Sequence, residues 1–129
     1  MWGADITSET DPFSAGLGFA VRMDKEFLGR DRVSGEPSDR RLICLVLDDP
    51  RSVALGNEPV KRSGVVVGRV SSGGLGYSLG LSIAYAWVPS ELAEPGTRLT
   101  VEVFGVTVEA EVRADPLFDP AGARIRARA

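Results

Sequence analysis

The strongest constraint on the fold lies between Arg98 and Arg113. Leu99, Val101 and Val103 alternate with Arg98, Thr100 and Glu102. After Gly105, Val106, Val108, Ala110 and Val112 alternate with Thr107, Glu109, Glu111 and Arg113. Successive side chains of a strand point to opposite faces, so this spacing gives each segment one apolar and one polar face. Two such segments around a tight glycine turn predict an antiparallel hairpin.

Other strands are legible upstream. Leu42 to Leu47 is apolar on both faces, as in a strand buried between layers or within a barrel wall. Asp48-Asp49-Pro50 ends it. The short stretch around Pro59-Val60 reads as an edge strand, and Val65-Val66-Val67 begins another that runs on through Arg69-Val70. A glycine-rich loop follows, Ser82 to Val88 resumes the strand pattern, and Pro95-Gly96 marks a turn. Fifteen glycines and eight prolines in 129 residues favour many turns and short strands over long helices. Five or six strands with no long helix between them argue for an antiparallel barrel or sandwich. The barrel is preferred, because an open sheet of this size leaves two edges to protect. The expected class is therefore mainly β: a small antiparallel barrel of about six strands.

Residues 1 to 38 read differently. Met1 to Ala20 holds turn formers and isolated aromatics, Trp2, Phe13 and Phe19, with no sustained period. Asp24 is placed to cap a short helix over Lys25 to Val33, with Phe27 and Leu28 as its apolar side. Gly29 lies inside that stretch and weakens it by ~1 kcal/mol relative to alanine. Ser34 to Asp39 is a polar linker. The expected division is a lead-in over 1–38 and a barrel over 39–129.

Composition excludes several classes of function. With no histidine, neither a Ser-His-Asp nor a Cys-His arrangement can be built, nor a zinc site with imidazole ligands. No convergent carboxylates and no nucleophile with a base can be located, so no catalytic residue is assigned. A net charge of −3 offers no sequence-independent grip on nucleic acid or anionic lipid. Cys44, the single cysteine, sits inside the apolar run and reads as a buried structural thiol in a reduced, cytoplasmic setting. The longest apolar run is too short to cross a bilayer, and the N-terminus lacks the layout of a signal peptide.

Three features invite sharper readings. In Gly73 to Gly80, counting from Gly74 and Gly76, Leu79 fills the third glycine position of a dinucleotide fingerprint. The loop also leads into a strand, whereas a phosphate cradle needs a helix N-terminus. A long turn, with glycines serving positive φ or close backbone approach, is the expected reading. Asp48 and Asp49 point to opposite faces of a strand and do not share a ligand. Arg124, Arg126 and Arg128 alternate along the C-terminus, as a solvated extended tail or as a carboxylate site.

Read in order, several segments resemble the glycine-cleavage T-protein family. They are Trp2-Gly3-Ala4-Asp5-Ile6, Ala15-Gly16-Leu17-Gly18-Phe19-Ala20-Val21 and Asp24-Lys25-Glu26-Phe27-Leu28-Gly29-Arg30. More closely, they resemble the folate-binding half of dimethylglycine and sarcosine dehydrogenases. The likeness continues through Gly56 to Val60, Gly68 to Gly74, Ser82 to Ala86 and Pro95-Gly96-Thr97, and closes with Pro116-Leu117-Phe118-Asp119-Pro120 and Arg124.

The resemblance implies an aminomethyltransferase architecture in which three domains surround a tetrahydrofolate cavity. A one-carbon unit on an amine passes to folate to give 5,10-methylenetetrahydrofolate. The essential aspartate belongs to an earlier domain, which would lie before residue 1. Residues 1–38 then look like the tail of that folate-binding domain, and the partners are the remaining domains of a longer polypeptide or a second copy of the chain. Lys25 occupies a position where the family places a basic residue near folate. Arg124 matches a late arginine suited to a folate carboxylate, and Phe19 is suited to packing on the pterin or aminobenzoate ring. The alternative is a free-standing barrel for binding or oligomerisation, without folate chemistry.

Overall fold

The computed structural model describes residues 1–33, 35 and 38–127. Six strands form one closed barrel: β1 (Arg40–Leu47), β2 (Pro59–Arg62), β3 (Val65–Gly76), β4 (Leu81–Pro89), β5 (Arg98–Val103) and β6 (Val106–Arg113). Their order around the barrel is β1-β4-β3-β2-β5-β6, every pairing is antiparallel, and β1 on β6 completes the ring. A closed ring leaves no unpaired edge for another chain to extend.

Alternation fills the interior. Ile43, Leu45, Leu47, Val60, Val70, Val88, Leu99, Val101 and Val112 are buried in one core cluster. Each such side chain contributes roughly 1.5–3 kcal/mol of burial free energy. On β4, Ala84 and Ala86 point inward while Ile83, Tyr85 and Trp87 are only half buried. The large residues of β4 thus face outward. On β1 the outward Cys44 and Val46 are buried as well, so the outside of this wall is covered.

The β5–β6 hairpin is as its alternation predicts. Phe104 and Gly105 form its two-residue turn with φ of 48° and 80°, the left-handed pair that matches strand twist. Three expectations are corrected. β2 is not an edge strand: it pairs with β3 on one side and β5 on the other. The expected glycine-rich loop is mostly strand, because β3 continues through Gly76 and only Tyr77–Gly80 turn. A Cβ on Gly73 would lie 2.3 Å from the Ala54 carbonyl oxygen, so glycine here admits the loop that crosses β3.

The third correction concerns the lead-in. In place of a helix over Lys25–Val33 it has a 3-10 turn at Arg30–Arg32. Gly29 adopts φ 84°, outside helical geometry, and the Asp24 carboxylate is held by Arg22 instead of capping a helix. The lead-in docks on the barrel through Ser14, whose carbonyl accepts from Leu42 N at 2.9 Å and whose hydroxyl accepts from Ser38 N at 2.7 Å. Within the expected linker, Ser34, Glu36 and Pro37 lie outside the described residues, as does Arg128 of the arginine tail. Arg124 and Arg126 sit on a single helical turn, α1 (Ala123–Arg126), so this part of the tail is not extended.

Candidate functional site

Cys44 on β1 lies opposite Tyr85 on one side and Arg113 on the other, all facing outward from the barrel. After β6 the chain turns back across this wall, and Asp115 accepts a hydrogen bond from the Tyr85 hydroxyl. That contact separates two grooves. The first, of about 520 Å³, is lined by Phe19, Arg41, Cys44, Tyr85, Arg113 and Asp115 among others. The second, of about 510 Å³, runs between Tyr77, Leu79, Ile83, Tyr85 and the Asp115–Phe118 segment.

Burial pushes the Cys44 thiol up to about 12, with the Asp115 carboxylate adding to the rise and Arg113 opposing it. Burial also holds the Tyr85 phenol well above its ordinary value, reinforced by its hydrogen bond to Asp115 and by that residue's charge. Both groups stay protonated at neutral pH, so neither supplies a nucleophile or a base there. Asp48 and Asp49 do not converge: Asp48 is held by the Arg98 guanidinium and Asp49 by Arg51 and Ser52. Among the described residues, no group of three potential metal ligands assembles.

The three residues singled out by sequence fall as follows. Phe19, on a 3-10 turn at Gly18–Ala20, is 87% exposed and lines the first groove. Arg124 sits with its guanidinium 5.2 Å from the centre of the Phe118 ring, a cation–π contact at the second groove. Its backbone N–H donates to Asp119 at 2.9 Å. Lys25 is exposed and lines neither groove. Of the three, only Phe19 lines a groove; Arg124 reaches the second groove only through its contact with Phe118, and Lys25 reaches neither.

Tyr85, Asp115 and Tyr77 were missed by the sequence reading. A signal was present for the first. Small Ala84 and Ala86 alternate with bulky Ile83, Tyr85 and Trp87, and a strand with its bulk outside needs something to cover it.

Comparison with known proteins agrees with the barrel fold. A profile of the glycine cleavage T-protein C-terminal barrel domain matches residues 40–119. Dimethylglycine dehydrogenase, mitochondrial, of Mus musculus is 35% identical over 97% of this chain, which covers 15% of that protein. A probable aminomethyltransferase of Natronomonas pharaonis is 39% identical over 92% of the chain and 35% of its own length. The crystal structure of glycine cleavage system aminomethyltransferase T from Bartonella henselae superposes with a TM-score of 0.79 at 27% identity, covering 90% of this chain and 34% of that one. The chain belongs to the glycine cleavage T-protein C-terminal barrel domain family. It spans about a third or less of the length of these relatives.

Proposed function

We propose that this barrel forms one wall of a tetrahydrofolate cavity in an aminomethyl-transferring protein of the T-protein or dimethylglycine dehydrogenase type, and catalyses no step by itself. The observation that carries this reading is the grooved outer wall on either side of the Tyr85–Asp115 contact, with Phe19 lining one groove and Phe118, on which Arg124 stacks, lining the other. Flat aromatic faces suit a pterin or aminobenzoate ring, and a guanidinium suits a folate carboxylate. Bound tetrahydrofolate would supply the amine nitrogens that accept the one-carbon unit. This chain would orient the folate and shield it from water on one side. Lys25 contributes only if another part of the protein carries it toward the ligand.

In this reading residues 1–38 are the tail of a preceding folate-binding domain, 39–129 are the barrel, and the catalytic aspartate resides in that preceding domain. The remaining domains of a longer polypeptide are then the principal partners. A cytoplasmic location belongs to the same reading, since the one free thiol, Cys44, suits a reducing compartment. Among the described residues no helix is long and apolar enough to cross a membrane.

The test is an assay of the chain with tetrahydrofolate and an aminomethyl-lipoyl donor, whose carbon is already at the formaldehyde oxidation level. No methylenetetrahydrofolate is expected, and its formation would overturn the wall-only role. A second reading, a self-associating barrel without folate chemistry, draws on the exposed Leu55, Tyr77, Phe104 and Val106. Sedimentation as a monomer at high concentration would count against it.

A further inference from the structure

Further along the β1–β4 wall, past Tyr85, a recess of about 620 Å³ lies between the start of the lead-in and strands β1, β3 and β4. Arg40, Asn57, Arg69, Ser71 and Trp87 line it, with the Gly3-Ala4 backbone across the mouth. Among the described residues no carboxylate lines the recess, in a chain whose net charge is −3. Asp5, next along the lead-in, is buried and accepts from the Ser71 and Ser72 hydroxyls at 2.5 and 2.6 Å. Two guanidinium groups thus stand against one carboxylate that is already engaged.

The recess is built by irregularities of the strands. In the β2 pairing Val67 is skipped between Val66 and Gly68, and in the β4 pairing Ser71 is skipped between Val70 and Ser72. The segment Gly68-Arg69-Val70 therefore lies between two bulges, devices that re-aim side chains. A Cβ on Gly68 would lie 2.3 Å from the Trp87 carbonyl oxygen, so only glycine permits this approach. That same carbonyl accepts from Arg40 Nη2 at 2.6 Å.

Arg40 is thereby held in place through one nitrogen, while its Nε and Nη1 have no partner among the described residues. The Arg69 side chain makes no hydrogen bond or ion pair among the described residues. By contrast Arg22, Arg30, Arg51 and Arg98 are each paired with a carboxylate. One fixed and one free guanidinium, facing a polar recess, match an oxyanion that accepts several N–H groups at once.

We propose that this recess is a binding site for a small molecule bearing a phosphate or a carboxylate, gripped jointly by Arg40 and Arg69. The site is separate from the Tyr85–Asp115 grooves, and neither reading depends on the other.

The experiment is calorimetric titration of the whole chain with inorganic phosphate and with glutarate, followed in parallel by the fluorescence of its two tryptophans, Trp2 and Trp87. Saturable 1:1 binding of at least one anion is expected, weakening as salt is raised. Arg69→Gln is expected to weaken it by roughly tenfold or more, the loss of one charge-assisted contact. Because the Arg69 guanidinium has no partner among the described residues, the thermal melt of this variant should be unchanged. Arg62→Gln, an exposed arginine that donates to the Arg98 carbonyl, should leave binding intact. Tighter phosphate assigns a phosphoryl ligand, tighter glutarate a dicarboxylate, and equal affinity a general oxyanion site. No saturable binding of either anion, unchanged binding in Arg69→Gln, or equal loss in Arg62→Gln would each overturn the proposal.

Discussion

The Tyr85 hydroxyl on β4 donates to the Asp115 carboxylate and fastens the segment that follows β6 to the outside of the barrel. Asp115 is exposed, so water competes for it and the bond falls at the low end for a charged acceptor. Tyr85→Phe should therefore lower stability by about 1 kcal/mol. Urea denaturation of the two proteins, with unchanged slope, is the measurement. A loss below the error of the fit would mean that the segment is held by other contacts.

Alkaline pH should destabilise the fold through the same wall. The folded Cys44 thiol and Tyr85 phenol both titrate above their ordinary values, the thiol at about 12, so the folded chain retains protons that the unfolded chain releases. The associated stability is complete below the unfolded values, about 8.5 for a thiol and about 10 for a phenol, and is lost as pH rises through the folded values. The urea midpoint should stay level near neutrality and fall above about pH 8.5. Cys44→Ala should remove the onset of that fall and Tyr85→Phe its upper part. A midpoint that stays level through the tyrosine range would contradict this account.

Two adjacent glycines of β3 should behave oppositely. A methyl group on Gly73 meets the Ala54 carbonyl oxygen at 2.3 Å and the Ile83 carbonyl oxygen at 3.2 Å, both backbone atoms that cannot move aside cheaply. On Gly74 it meets nothing within 4 Å, and φ there is not left-handed. Gly73→Ala should cost roughly 1–3 kcal/mol, whereas Gly74→Ala should be neutral or slightly stabilising. Thermal melts of the two variants decide it, and equal melts would refute the close approach.

The architecture was readable wherever burial imposed a period. The β5–β6 hairpin and the both-faces-apolar β1 follow from alternation and composition alone, because register errors there would move core residues into water. What stayed hidden depended on packing between distant segments. Gly73 looked like part of a loop because its role, admitting the Ala54 carbonyl, is fixed by residues nineteen positions away. Pro59-Val60 looked like an edge because sequence does not reveal which strands lie on either side. The Lys25–Val33 helix was overcalled: Gly29 carried the warning, and its left-handed backbone decided the outcome. At the candidate site, Phe19 was reached only through family resemblance, Arg124 was raised also by the alternating arginines, and the Tyr85–Asp115 contact joins residues 30 positions apart.

The central claim is that the Tyr85–Asp115 wall faces folate. Its most direct test is an amide NMR titration of the 129-residue chain with 5-formyltetrahydrofolate, using Arg124→Ala as control. Shifts should cluster at Phe19, Tyr85, Asp115–Phe118 and Arg124, with weak affinity befitting a single wall, and should shrink in the variant. Shifts scattered elsewhere, or none at millimolar ligand, would contradict the claim.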